Sequence, residues 1–192
     1  MKRVALVLLA ALVLTACGSG GEKTRTASSS DKAPATLPAS ALPDLDTRAR
    51  ALDSEALADD SLDPDALGKV LAEAGYVTGS EREFSGKSRT FDHVVARTLV
   101  FESVAGADAY LDWLEGHAAD FLGRAKASSV SIPGGSGVAF SLARCGTCVK
   151  EVPAFLAGWR RGNVVLWLLA AGSGASEARF HALAREADGV LR

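Results

Sequence analysis

The sequence predicts an α+β fold, with an antiparallel sheet that carries helices mainly on one face. Two observations predict it: apolar, β-branched runs are joined by short turns, and amphipathic helical segments follow pairs of such runs. The order strand, strand, helix occurs twice, ending near Leu122 and again near Leu191, and this suggests a ββα pseudo-repeat.

The first well-marked element is a helix that starts after Asp63. Asp63 suits the N-cap, Pro64 suits the first helical position and Gly75 provides the stop. Apolar residues recur between them at helical spacing: Leu67, Val70, Leu71 and Ala74. The preceding stretch, 49–60, is alanine-rich and charged, and we interpret it as a helix of weak periodicity.

The next elements are two strands and a helix. Residues 76–84 favour a strand, and residues 93–102 are β-branched and apolar on both faces, which predicts a central position in the sheet. Residues 105–122 place one apolar stripe on a helix that should pack on this sheet.

The second half begins with a strand over 138–143, whose large apolar residues alternate with small ones. Two apolar runs, 152–159 and 164–171, flank the turn 160–163, and its Gly-Asn pair predicts a tight hairpin. One face of this hairpin should carry Phe155, Ala157, Trp159, Val164, Leu166 and Leu168, and the other Leu156, Val165, Trp167 and Leu169.

The final element is a helix over 176–191, capped by Ser176. Its apolar residues fall on one stripe: Phe180, Leu183, Ala184, Ala187 and Leu191. Together these elements predict a single globular domain over residues 42–192, which is long enough to enclose a core.

The N terminus has the order of a secretory signal. Two basic residues precede an apolar run from Val4 to Val13, which is too short to span a membrane comfortably. The next residues, Leu14-Thr15-Ala16-Cys17, resemble the lipobox of bacterial membrane lipoproteins.

This resemblance implies a signal peptide over 1–16 that is removed, and a diacylglycerol on the thiol of Cys17. Acyl chains such as palmitate would then hold the protein at the cell membrane, on its extracytoplasmic side. Residues 17–41 are polar and small, which predicts a flexible tether between the lipidated cysteine and the domain.

The net charge of the mature chain argues against nucleic acid as a partner. Without Lys2 and Arg3, the 21 basic residues fall to 19, against 23 acidic ones, so the mature chain is mildly acidic. The basic residues are also scattered, and the sequence therefore predicts no binding to nucleic acid.

Two further cysteines, Cys145 and Cys148, form an even pair for an oxidising compartment, and we expect them to be bonded to each other. The stretch Cys145-Gly146-Thr147-Cys148, with Pro153 beyond it, resembles the redox motif of thioredoxin-like proteins. The resemblance implies a thiol-disulfide oxidoreductase as an alternative function. The competing interpretation of the two cysteines is a structural disulfide, which we favour because only a hairpin and one helix follow the motif.

No other arrangement predicts catalysis, a cofactor or a metal. The three histidines lie on different elements without ligand partners at metal spacing. The aspartates around Asp63 lack the glycine and distal glutamate of a calcium loop. Ser136 and Ser173 lie in glycine-rich turns without a nucleophile-elbow pattern.

The aromatic residues Trp159 and Trp167 offer a ligand face, because large aromatic surface on both sides of a hairpin needs cover. Core packing is the competing interpretation. The sequence thus predicts a membrane-anchored surface lipoprotein, more consistent with a non-enzymatic domain than with an enzyme. Its partners would be the membrane, through the lipid, and an envelope ligand or protein.

Overall fold

In a computed structural model of the protein, the described residues are 34–122, 126–127, 137–142 and 152–191. They form seven strands and four α-helices. The elements are β1 (Asp46–Leu52), α1 (Ser54–Asp59), α2 (Pro64–Glu73), β2 (Tyr76–Ser85), β3 (His93–Phe101), α3 (Val104–Leu122), β4 (Lys126–Ala127), β5 (Gly137–Leu142), β6 (Ala154–Arg161), β7 (Val164–Ala171) and α4 (Glu177–Gly189).

The strands form one antiparallel sheet in the order β1-β2-β3-β7-β6-β5-β4. The α+β class is therefore confirmed. Strand β3 lies inside the sheet between β2 and β7, as its two apolar faces predicted. The pair β3–β7 joins the two halves of the chain.

Two cores cover the two faces of the sheet. On one face, which we call the three-helix face, Leu99 and Trp167 of the sheet belong to a buried cluster with residues of α1, α2 and α3. On the other, the α4 face, Ala96 and Leu168 belong to a cluster with Phe180 of α4. The ββα units β2–β3–α3 and β6–β7–α4 are both present, and their helices lie on opposite faces.

The hairpin β6–β7 follows the predicted register. Trp159 pairs with Leu166 and Leu156 pairs with Leu169, so the two predicted faces are the two observed ones. The turn residue Gly162 has φ +60°, a conformation that glycine adopts without the steric cost of a Cβ atom.

Helix α2 also forms as predicted, because the carboxylate of Asp63 accepts a hydrogen bond from the Ala66 amide at 3.0 Å. Helix α4 starts where expected, but the side chain of its N-cap residue, Ser176, makes no capping hydrogen bond with the described residues. The predicted position of the N-cap residue is thus confirmed for α4, but a capping hydrogen bond from its side chain is not observed among the described residues.

The helix predicted over 49–60 is confirmed over Ser54–Asp59 and is wrong over 49–52. Residues up to Leu52 belong to β1, and a short helix, α1, follows Asp53, whose carboxylate caps it by accepting from the Ala56 amide at 2.8 Å. Pairing with β2 over seven residues outweighs the helix propensity of an alanine- and arginine-rich segment.

The folded domain begins before residue 42, where the sequence predicted its boundary. Leu37 is fully buried in the core of the α4 face. The segment before it lies across the sheet: Ser80 on β2 donates to the Pro34 carbonyl at 2.5 Å and Thr98 on β3 donates to the Ala35 carbonyl at 2.8 Å. Residues 34–41 therefore pack with the domain, which shortens the predicted tether at its C-terminal end.

Candidate functional site

The sheet carries arginines on both faces, and they differ in whether their charge is compensated. On the three-helix face, strand register places Arg50, Glu81, Arg97 and Trp167 in one row across β1, β2, β3 and β7. Residues directly opposite each other on neighbouring strands share a face, so each of these side chains contacts the next one in the row.

Asp60, at the end of α1, closes this row into a ring of four charges. The Nε atoms of Arg50 and Arg97 each donate to one oxygen of Glu81 at 2.7 Å. Both arginines also donate through Nη2 to Asp60, at 2.7 Å in the case of Arg50. The Arg97 guanidinium lies 4.7 Å from the centre of the Trp167 ring, so it is held between an aromatic face and two carboxylates.

The ring is buried enough to perturb ionisation. Burial of the Glu81 carboxylate would raise its pKa, but the hydrogen bond from Arg50 and the charge of Arg97 outweigh burial and hold the pKa below the usual 4.5. Two positive and two negative charges balance within the ring. We interpret it as a structural element that ties α1 to the sheet.

Arg82 is the contrasting case. It lies on the α4 face, between Ala49 on β1 and Ala96 on β3. Among the described residues its guanidinium has no ion pair and no hydrogen bond, and its Nε atom is buried without an acceptor. A half-buried arginine without an anion favours the binding of one, because an unpaired charge away from water is costly.

A shallow groove of about 560 Å³ adjoins Arg82. Its walls come from the N-terminal segment, from β1 and β2, and from the residue after α4. The lining residues are Pro34, Ala35, Thr36, Pro38, Ala49, Arg50, Ala51, Ser80, Glu81, Arg82 and Val190. We call this the Arg82 groove. It combines apolar walls with one uncompensated cation, a combination typical of binding sites.

Strand β1 forms the rim of the groove and the end of the sheet. Six of its seven residues are exposed, and in the described part of the chain it pairs with β2 alone. Every second residue of such a strand directs its N–H and C=O groups away from the sheet. The groove is therefore bordered by backbone groups that can accept an added strand.

The two tryptophans singled out from the sequence do not share a surface. Trp159 is 0% exposed on the α4 face, and its indole N–H donates to the carboxylate of Asp188 at 3.2 Å. Trp167 is 3% exposed on the opposite face, packed against Arg97 and Phe121. Both belong to the cores, and neither lines the Arg82 groove.

The three cysteines, Cys17, Cys145 and Cys148, lie outside the described residues. In the described ranges, no three His, Cys, Asp or Glu residues come together in a way that could hold a metal ion. Across the same ranges, none of the helices has the length and hydropathy needed to span a bilayer.

Sequence reasoning missed Arg82 and the groove beside it. One signal was available: Arg82 shares its strand face with Phe84, two residues along, and a charged residue on an apolar face is unusual. The groove itself was not visible, because its walls come from residues 34–38, from β1 and β2, and from Val190 at the other end of the domain.

Comparison with known proteins identifies no family. No protein-family model matches the chain, and no curated protein matches it. Among solved structures, the extracellular domain of PknH from Mycobacterium tuberculosis is similar at 14% identity and a TM-score of 0.46, over 77% of this chain and 82% of that one.

Proposed function

We propose that this protein is a surface lipoprotein, anchored at Cys17, whose domain binds an anionic ligand in the Arg82 groove without converting it chemically. The observation that carries the binding role is Arg82 itself, a half-buried cation without an anion among the described residues, beside an open groove. The lipobox carries the anchoring role.

The sequence limits the length of the tether between the anchor and the groove. Pro34, which lines the groove, is 17 residues from Cys17. Fully extended, a chain of that length spans at most about 60 Å, which is the upper limit that the sequence sets on the tether.

Anchoring is tested by acyl labelling. Cells that express the full chain are fed an alkyne analogue of palmitate, and membranes are separated from soluble protein. The full chain should take up label and sediment with membranes, whereas Cys17→Ser should lose both properties. Labelled Cys17→Ser protein would contradict the lipidation site.

Anion binding at Arg82 is tested with acetate as the probe. The full chain, in nanodiscs of phosphatidylcholine, is observed through the Nε–H resonances of its arginines while acetate replaces chloride at constant ionic strength. We expect a saturable shift of the Arg82 resonance and none for Arg89, an exposed arginine on the β2–β3 connection. Equal responses at both positions would reject the site.

For Cys145 and Cys148 we propose a structural disulfide rather than a redox centre. Strands β5 and β6 are antiparallel neighbours, with Leu142 paired to Ala154, so the cysteines lie in a connection between adjacent strands. Five residues separate Cys148 from β6, too few for the long helix that follows the motif in thioredoxin-like proteins.

The reduction potential of this pair separates the two functions. Titration with glutathione and a mass readout should give a value well below the glutathione potential, with a loss of thermal stability on reduction. A potential close to those of exchange proteins would favour the oxidoreductase.

A further inference from the structure

Strand β1 has the features of a strand that accepts another. It pairs with β2 over seven consecutive residues without a bulge and contains no proline. Among the described residues, no backbone hydrogen bond reaches it from the side opposite β2. Long regular edges of this kind are sites of strand addition unless charge or cover prevents it.

The charges of β1 oppose pairing between two copies of this chain. Consider antiparallel pairing about a two-fold axis normal to the sheet, the arrangement that would continue the sheet symmetrically. Every such register with five or more paired residues sets an arginine opposite an arginine: Arg48 against Arg50, Arg48 against itself, or Arg50 against itself. Like charges directly opposite each other are destabilising.

The same charges favour an acidic strand. Arg48 is exposed and has no ion pair among the described residues, and the Arg50 side chain is 43% exposed despite its place in the ring. Both project on the three-helix face, where acidic side chains of an added strand would meet them.

On the α4 face, Arg82 completes the arrangement. Its neighbour on β1 is Ala49, whose methyl group leaves the space above it open. Neighbouring strands lie about 4.8 Å apart, so a residue opposite Ala49 on an added strand has its Cα about 10 Å from that of Arg82. An arginine and a glutamate reaching toward each other over an alanine span this distance.

We propose that an extended acidic segment of a partner protein adds to β1 as a further strand, with one carboxylate paired to Arg82 across Ala49 and another to Arg48. This inference rests on the proposed function and identifies the anionic ligand of the Arg82 groove. The backbone of the segment would supply affinity through main-chain hydrogen bonds, and the two arginines would select for acidic side chains.

The probe is a seven-residue capped peptide with two adjacent glutamates at its centre and valine or threonine elsewhere. Adjacent residues of a strand point to opposite faces, so one glutamate serves each arginine. Two further peptides are matched to it: one with lysines in place of the glutamates, and one with N-methyl groups on alternate amides. The N-methyl peptide keeps the charges but cannot form the strand ladder.

Binding to the full chain in phosphatidylcholine nanodiscs is followed by fluorescence anisotropy. The acidic peptide should bind, and the lysine and N-methyl peptides should not. Arg82→Gln and Arg48→Gln should each weaken binding about tenfold, since each removes one charge-assisted hydrogen bond. Arg82→Lys should retain most of the affinity, and Arg89→Gln should leave it unchanged.

Each other outcome overturns the inference in a recognisable way. Equal binding of the acidic and N-methyl peptides would show attraction of charge without strand addition. Failure of the acidic peptide, with the acetate response of Arg82 intact, would reject the peptide partner and leave the anion site standing. If Arg82→Gln instead weakens association with phosphatidylglycerol vesicles and not with the peptide, the ligand is a lipid headgroup.

Discussion

Removing the Glu81 carboxylate should destabilise the domain, because the ring of four charges compensates the charge of Arg97 at a position where solvent cannot. The side chains of Arg97 and Glu81 are 7% and 8% exposed. In Glu81→Gln both arginines share one remaining carboxylate, that of Asp60. Loss of one partner from a buried ion pair costs about 3–5 kcal/mol, and we expect about 3 kcal/mol, since Asp60 remains and Arg50 is partly in water.

Urea unfolding followed by tryptophan fluorescence measures this loss. With a slope of about 2 kcal/mol/M, the midpoint should fall by about 1.5 M. The matched control is Glu83→Gln: Glu83 is 40% exposed, and its nearest charged partner among the described residues is His93 at 3.7 Å. That substitution should change stability by less than about 0.5 kcal/mol. Equal effects of the two substitutions would refute a structural ring.

The ring also makes stability depend on pH. Because the folded pKa of Glu81 lies below its usual 4.5, the unfolded state binds the proton more readily. The stabilisation is therefore present above pH 4.5 and is lost as the pH falls through the folded pKa. Glu81→Gln should flatten this acidic limb of the stability profile, and an unchanged limb would show that other carboxylates produce it.

Two further predictions concern the three-helix face. Gly106→Ala should destabilise the domain by more than about 2 kcal/mol, because the new Cβ would lie 1.9 Å from the Ala74 carbonyl oxygen. Gly116→Ala in the same helix, where a Cβ would have nothing within 4 Å, should stabilise the domain by about 0.5–1 kcal/mol. Urea midpoints test both substitutions, and similar effects would contradict the close helix contact. Burial raises the pKa of Tyr76, and it raises the pKa of Tyr110 to about 12. The absorbance of the folded protein at 295 nm should therefore stay flat well past pH 10, while the free energy of unfolding declines from pH 10 upward. Titration of the folded protein near pH 10 would contradict the burial of the two tyrosines.

The sequence predicted those parts of the fold whose signals are local. The Gly-Asn turn and the alternating apolar residues on either side of it were enough for the β6–β7 hairpin, and Asp63 with Pro64 was enough to start α2. In each case the residues that specify the element also lie within it, so neighbouring positions in the chain carry the information.

Elements that depend on distant partners were not predictable in the same way. The segment Asp46–Leu52 has a helix-like composition, and it becomes a strand because β2 lies beside it. The Arg82 groove brings together residues from 34 to 190, so no window of sequence contains it. Which face of the sheet α4 would cover depends likewise on the order in which β3 and β7 pair.

Hydrogen–deuterium exchange of β1 in the full chain, with and without the acidic peptide, tests the central claim most directly. The amides of Asp46–Leu52 that point away from β2 should exchange faster than those bonded to it, and saturating peptide should slow that outward-facing set. The N-methyl peptide should not slow the exchange of these amides. Unchanged exchange across β1 under saturating peptide would contradict strand addition at this edge.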